Sequence, residues 1–197
     1  YLTNLIDAVC LELYQTALAD LGGNERESHL ALVAHGGYGR RDVAPFSDVD
    51  LMLLLDPGSE THVRPVAQRL TQDICDAGLA LGFSLRTPRE ACSLALSDAT
   101  VFTSLAESRF LAGHEPLFAR FLERLRRMAA RHSRNLMGAI EQARHEERHR
   151  GRAIGTQRHP LHRGSRDGPA VGLGGIERHL LEHVHMAQDA VQFGDEA

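Results

Sequence analysis

The chain of 197 residues contains no lysine and no tryptophan, and aromatic residues make up only 5% of it. All 22 basic residues are arginine, against 26 acidic ones, and the formal net charge is −4. General nucleic-acid binding draws on a cationic surface, so we expect no nucleic-acid partner. No apolar run reaches the roughly 20 residues that a membrane-spanning helix needs, so we also expect no membrane partner.

Cysteine is scarce as well. Cys10, Cys75 and Cys92 are widely spaced and odd in number. This predicts buried free thiols in a reducing compartment rather than a disulfide scaffold, and hence a cytoplasmic location. The 43% of apolar residues and the length are typical of one globular domain, or one and a fraction. Because the chain begins at Tyr1 rather than methionine, we expect it to be a piece of a longer protein.

The most informative stretch is residues 32–55, LVAHGGYGRRDVAPFSDVDLMLLL. It predicts a strand, a glycine turn, a short linker with Pro45, and a second strand that opens with two acidic residues. Asp48 and Asp50 are two positions apart, so on a strand both carboxylates project from one face. Hard oxygen ligands suit Mg²⁺, which usually takes one or two carboxylates together with substrate phosphates. The pair therefore predicts a magnesium site at the start of the second strand.

A phosphate site is predicted about ten residues earlier. Gly36 and Gly37 allow close backbone approach, and their N–H groups can bind phosphate oxygens. Arg40 has a forked set of donors that matches phosphate, and we select it for a phosphate contact. Ser47 either binds phosphate through its hydroxyl or caps the linker. A phosphate site beside a metal-binding acid pair is the equipment for in-line phosphoryl or nucleotidyl transfer.

The wording GGYGRRDVAPFSDVDLMLLL resembles the signature of the polymerase-β-like nucleotidyltransferase superfamily, a glycine pair followed by Asp-x-Asp on the next strand. It is most similar to the N-terminal nucleotidyltransferase domain of the PII uridylyltransferases, the glutamine-sensing enzymes of nitrogen control. That family also has a similar S-V-R-T strand end and a related helix motif. Here these correspond to SLRT at 84–87 and DATVFTSLAESRFLAG at 98–113. The resemblance covers residues 30–118.

The resemblance implies a metal-dependent nucleotidyltransferase that uses Mg²⁺. It implies UTP as the nucleoside triphosphate donor, a tyrosine of the PII signalling protein as acceptor, and pyrophosphate as product. Two departures from the family keep other readings open. The strand at 83–86 lacks the third acid that the superfamily often carries, and Gly174–Arg178 only partly echoes a family G-G-L-R-D segment. A related domain with another acceptor, or a silent nucleotide-binding module, therefore remains an alternative.

The predicted fold is α/β (α+β), with a small mixed sheet of the polymerase-β-like nucleotidyltransferase type, backed by helices, and a helical C-terminal extension. The expected divisions are an N-terminal helix and linker at 1–29, a core at 30–118, a long basic helix at 119–150 and an irregular tail at 151–197. We expect strands near 30–34, 49–55 and 82–86. We expect helices over 2–21, 60–77, 88–96, 99–111 and 116–150.

Several single residues have two interpretations. His35, at the lip of the glycine turn, is either a structural polar residue or catalytic, and Tyr38 is expected to pack the turn. Asp98 either caps a helix or supplies a third metal carboxylate. Glu107 is expected to be solvated or ion-paired rather than catalytic.

The C-terminal part offers weaker signals. The basic helix either presents a solvated face or contacts nucleotide or an acidic partner. The Arg-, His- and Gly-rich segment to about Gly172 is expected to be loosely packed or disordered. The string HLLEH at 179–183 matches the inverted zincin pattern H-x-x-E-H, which leaves an ordinary helix, adventitious metal binding and a zinc protease as readings.

Overall fold

The computed structural model describes residues 2–44 and 47–155. The chain divides into two compact units between Leu125 and Arg126. The described helices are α1 Leu2–Leu21, α2 Asn24–Glu27, α3 Gly36–Gly39, α4 Glu60–Asp76, α5 Pro88–Ser97, α6 Ala99–Ala106, α7 Glu115–Arg131 and α8 Ser133–Gly155. The described strands are β1 Leu30–Ala34, β2 Val49–Leu55, β3 Leu81–Arg86 and β4 Arg109–Gly113.

The first unit is built around a mixed sheet in the order β3-β2-β1-β4. β1 is antiparallel to both β2 and β4, and β2 is parallel to β3. A parallel pair needs a crossover connection, and α4 provides it. This confirms the predicted fold class, a small mixed α/β sheet backed by helices.

The sheet has two faces with different roles. On one face, alternate residues of β1 and β2 pack against α1 and α4 in a single apolar core, which includes Leu32, Leu51 and Leu53. On the other face, Met52 lines a cavity together with Leu94 of α5 and Leu105 of α6, so these two helices cover that face. Because side chains alternate along a strand, Asp50 lies on the same face as Met52.

The starts of α5 and α6 follow local rules that the sequence displays. Thr87 and Glu90 form a reciprocal capping box, with Pro88 at the first helical position. Asp98 accepts hydrogen bonds from the N–H groups of Thr100 and Val101 at 2.8 and 3.2 Å. The capping interpretation of Asp98 is confirmed, and this carboxylate is engaged at a helix end.

The predicted helix over 99–111 is wrong in its second half. α6 ends at Ala106, and residues Arg109–Gly113 form β4 on the open edge of β1. The apolar spacing of this segment suits a helix, but the unpaired backbone groups of β1 need a partner strand. The side chain of Arg109 also reaches Asp7, 102 residues away in the chain, and no local pattern reveals such a contact.

The predicted single helix over 116–150 is two helices, α7 and α8, separated at His132. No glycine or proline stands at this break, so the sequence carries no helix-ending signal there. Cys10 and Cys92 are buried as predicted, but Cys75 is exposed, and none of the three is in a disulfide. None of the described helices is both long and apolar enough to cross a membrane. The predictions for Pro45 and for 156–197, including the H-x-x-E-H string, lie outside the described residues.

Candidate active site

Two carboxylates lie at the end of the sheet where β2 begins. Asp48 directly precedes the strand and is exposed, whereas Asp50 is its second residue and is half-buried. Burial raises the pKa of Asp50, and the negative charge of Asp48 raises it further, while His35 opposes the shift. The effect of Asp48 on the pKa of Asp50 indicates that the two carboxylates are near each other. The side chain of Asp50 has no hydrogen bond or ion pair among the described residues.

The Asp50 carboxylate lies in a slot between two glycines. A Cβ added to Gly36 would lie 2.8 Å from Oδ2 of Asp50, and one added to Gly82 would lie 2.6 Å from Oδ1. Real Cβ atoms essentially never come this close, so a side chain at either position would force the Asp50 carboxylate to move. Gly36 also has a φ of +57°, which favours glycine for a second reason. The two glycines therefore fix where this carboxylate can lie.

The predicted glycine turn is a four-residue helix, α3, that directly follows β1. Neither Gly36 nor Gly37 donates its N–H in any hydrogen bond between described residues. First-turn N–H groups of a helix have no partner within the helix. The backbone N–H of His35 donates to the carbonyl of Asp50 at 3.1 Å and so joins the turn to the carboxylate strand.

The other two predicted binding residues have partners within the protein. Nη1 of Arg40 lies 3.1 Å from Oε2 of Glu107, whose side chain is only 8% exposed. This confirms the ion-paired reading of Glu107 and places Arg40 across the turn from α6. Oγ of Ser47 donates to the carbonyl of Ala44 at 2.8 Å, as the linker-cap reading expects.

His35 pairs with a residue that the sequence analysis missed. Nδ1 of His35 lies 2.8 Å from Oγ of Ser104 on α6, and the same hydroxyl would lie 3.1 Å from a Cβ on Gly36. Burial lowers the pKa of His35, although the charge of Asp50 works in the opposite direction. His35 is thus a polar residue that ties the turn to α6. Only the T-S-L wording within 98–113 could have pointed to Ser104.

An ion pair between Arg109 and Asp7 supports the glycine turn. Arg109 of β4 donates to both carboxylate oxygens of Asp7, at 3.0 and 2.9 Å, and to the carbonyls of Gly39 and Tyr38, each at 3.3 Å. Its guanidinium also lies 5.4 Å from the centre of the Tyr38 ring. Tyr38 is fully buried, which confirms that it packs the turn. α1, α3 and β4 are therefore held together by one arginine.

We expect Arg109→Met to lower the free energy of unfolding by about 2–3 kcal/mol, because it removes both hydrogen bonds to the partly buried Asp7 carboxylate and leaves only the more distant Arg41 beside it. Urea unfolding measures this. The control is Arg120→Met, which removes a more exposed ion pair with Asp56 and should cost less than about 1 kcal/mol. Equal losses in the two variants would contradict the assigned role of Arg109.

The same ion pair has a predicted pH dependence. Burial works to raise the pKa of Asp7, but Arg109, through its hydrogen bonds and charge, outweighs it together with smaller effects of Tyr38 and Arg41, so the pKa is lowered. A lowered pKa stabilises the fold at pH values above the ordinary carboxyl pKa, and this contribution is lost as the pH falls through the folded value. Arg109→Met should therefore flatten the loss of stability in acid.

The donor set at the start of β2 fits Mg²⁺. It offers two neighbouring carboxylates, of which Asp50 makes no hydrogen bond within the part of the chain that the structure describes, beside backbone N–H groups that suit phosphate. Within the described part of the chain there is no group of three His, Cys, Asp or Glu residues that could hold a metal ion. On β3, the partner of Met52 is Ser84, so that position carries a hydroxyl and not an acid. A metal ion here would take its remaining ligands from substrate phosphates and water.

Comparison with known proteins agrees with this geometry. Residues 1–89 match the family described as "Putative nucleotidyltransferase DUF294", a range that contains the glycine turn and both carboxylates. The chain is 46% identical over 94 residues, 48% of its length, to a bifunctional uridylyltransferase/uridylyl-removing enzyme of Pseudomonas entomophila. It is 45% identical over 97 residues, 49% of its length, to the enzyme of that name from Aromatoleum aromaticum.

The matched stretch spans only 10–11% of the length of these curated relatives. The match therefore concerns one part of these enzymes and not their whole length. Over its first half this chain is therefore similar to a nucleotidyltransferase family and to a short part of the bifunctional uridylyltransferase/uridylyl-removing enzymes.

Proposed function

We propose that this chain catalyses metal-dependent nucleotidyl transfer, with UTP as the donor and a tyrosine of the PII signalling protein as the acceptor. The observation that carries the proposal is the Asp50 carboxylate, which lies in a slot between Gly36 and Gly82 and beside Asp48. A half-buried carboxylate with a raised pKa and no hydrogen-bond partner among the described residues is typical of a functional site rather than a structural one. UTP is proposed from the names of the relatives and from the sequence resemblance, and PII from the resemblance.

In the proposed reaction, Asp48 and Asp50 would hold Mg²⁺ together with the triphosphate. The N–H groups of Gly36 and Gly37 bind the β- and γ-phosphates. Arg40 contacts phosphate by turning from Glu107 toward the open side of the turn, and Ser47 lies at the edge of the same site. Bound Mg²⁺ would supply positive charge to the phosphate oxygens.

The acceptor oxygen attacks the α-phosphorus in line with the leaving group. A bond forms between this oxygen and phosphorus, and the bond from phosphorus to the bridging oxygen of pyrophosphate breaks. The acceptor proton leaves to solvent, and pyrophosphate carries the displaced electron pair. The role of the protein is mainly to position the two oxygens and to place charge around them.

The test is transfer of label from α-labelled UTP to PII in the presence of Mg²⁺, beside parallel reactions with ATP, CTP and GTP. We expect PII to be labelled from UTP and the label to map to a tyrosine. Labelling of another acceptor in place of PII would move the proposal to a related domain with a different target. A folded chain that labels no acceptor from any nucleotide would contradict the proposed catalysis.

One observation favours a second candidate, a module that binds nucleotide without turnover. The described residues offer only two carboxylates for a metal, and Arg40 is engaged by Glu107. Isothermal titration with UTP separates the two proposals when it is combined with the labelling reaction. Binding with no transfer to any acceptor would favour the silent module.

A further inference from the structure

A cavity of about 280 Å³ lies beside the carboxylate pair, on the same face of the sheet. Met52 and Ser84, which are register partners on β2 and β3, form part of its floor. They lie two residues beyond Asp50 along the sheet, a distance of about 7 Å. His35 and Ser104, the pair beside Gly36, also line the cavity. The cavity therefore adjoins the proposed phosphate site.

The walls of the cavity suit the nucleoside part of a nucleotide. Leu94, Val101 and Leu105 make much of the lining apolar, and Thr100 adds a hydroxyl. Ligand pockets are mostly apolar with a few polar groups, and this volume of about 280 Å³ is slightly below their usual range of about 300–1,000 Å³. It is enough for one part of a nucleoside triphosphate and too small for the whole molecule. With the phosphates at the glycine turn, the part that remains is the nucleoside.

One charged residue lines the cavity away from the carboxylates. Arg86 is the register partner of Leu54, four residues beyond Asp50, or about 13 Å along the strand. It is half-buried, it makes no hydrogen bond or close ion pair among the described residues, and its charge helps to lower the pKa of Glu90. The nearby Glu90 carboxylate accepts hydrogen bonds from the backbone and hydroxyl of Thr87. At this distance Arg86 is poorly placed for phosphates bound at Gly36 and well placed for the outer edge of a base.

We infer that this cavity binds the base of the nucleotide and that Arg86 selects a pyrimidine with a carbonyl oxygen at position 4, uracil over cytosine. The inference rests on the proposed function, because it assumes that phosphates bind at the glycine turn. An arginine side chain only donates hydrogen bonds. Uracil presents an acceptor at position 4, whereas cytosine presents an amino group that also only donates. Cytosine would therefore place a donor against the Arg86 guanidinium at position 4, where uracil places an acceptor.

The test is isothermal titration of the 197-residue chain with UTP and with CTP in Mg²⁺. We expect UTP to bind at least about tenfold more tightly, as a hydrogen bond to a charged group would give. Arg86→Met should reduce this preference to less than about threefold, mainly because it lowers the affinity for UTP. Arg86→Lys keeps a donor and should retain part of the preference. The matched control is Arg89→Met, three residues away and exposed on α5, which should leave the preference unchanged.

The outcomes separate this inference from the proposed function. A preference for UTP that survives Arg86→Met, or equal affinity for UTP and CTP in the unaltered chain, overturns the role of Arg86 and leaves nucleotidyl transfer standing. A folded unaltered chain that binds no triphosphate overturns both. The comparison of UTP with CTP in the unaltered chain needs no variant, so it remains decisive if Arg86→Met fails to fold.

Discussion

Asp50→Asn is expected to lower the rate of nucleotidyl transfer by about 10³-fold while leaving the fold intact or more stable. The loss follows because the variant removes one of two metal carboxylates, and metal-ion catalysis supplies several kcal/mol of transition-state stabilisation. Asp48→Asn should cause a loss of similar size. Steady-state labelling from UTP measures the rate, and urea unfolding measures the stability.

The stability of Asp50→Asn shows whether Asp50 has a catalytic role or a structural one. Burial and Asp48 raise the pKa of Asp50, so folding disfavours its charged form. A raised carboxyl pKa means that stability is gained as the pH falls through the folded value. Asp50→Asn should remove that dependence and cost no stability at neutral pH. Residues at functional sites often lower the stability of the fold in this way, which is a trade-off between stability and activity.

The control for this prediction is Asp76→Asn, which changes an exposed carboxylate near the end of α4. It should transfer label at the unaltered rate. The account would be contradicted if Asp50→Asn kept most of the activity, or if it lost activity only in proportion to unfolding.

Gly82→Ala is expected to lower transfer by about 10²-fold, although residue 82 is not itself a proposed metal or nucleotide ligand. The new Cβ would lie 2.6 Å from Oδ1 of Asp50, so the carboxylate must move away from its place beside Asp48. A displacement of about 1 Å at a reacting centre can cost this much. The affinity for Mn²⁺, measured by titration in the presence of UTP, should fall with the rate.

The matched control is Gly138→Ala, where a Cβ would meet nothing within 4 Å. It should leave both rate and metal affinity unchanged. Gly36→Ala is a harsher version, because its Cβ would approach both Oδ2 of Asp50 and Oγ of Ser104, and its φ of +57° is unfavourable for alanine. Full activity in Gly82→Ala would show that the slot does not position Asp50.

The parts of the fold that the sequence predicted are those in which local signals and tertiary contacts agree. The strands 30–34 and 49–55 are short apolar runs bounded by turn residues, and both are observed with these bounds. The capping box at Thr87 and the cap at Asp98 are likewise local rules. Placement of Asp50 and Met52 on one face follows from strand alternation alone.

The parts that escaped prediction depend on residues far apart in the chain. β4 exists because β1 has an open edge and because Arg109 binds Asp7, and neither fact is visible within residues 99–113. Gly82 reads as an ordinary glycine before a strand until its register partner is known to be Asp50. Ser104 and Arg86 join the site only through the packing of α6 and β3.

The most direct test of the account is where a metal–nucleotide complex binds, measured by paramagnetic broadening of backbone amide resonances with Mn²⁺ and UTP. The account predicts that the amides of Gly36, Gly37, Asp50 and Gly82 broaden first, while that of Gly58, at the opposite end of β2, stays sharp. Asp50→Asn should reduce the broadening. Broadening centred elsewhere, or broadening that survives removal of both Asp48 and Asp50, would contradict the central claim that these two carboxylates hold the metal.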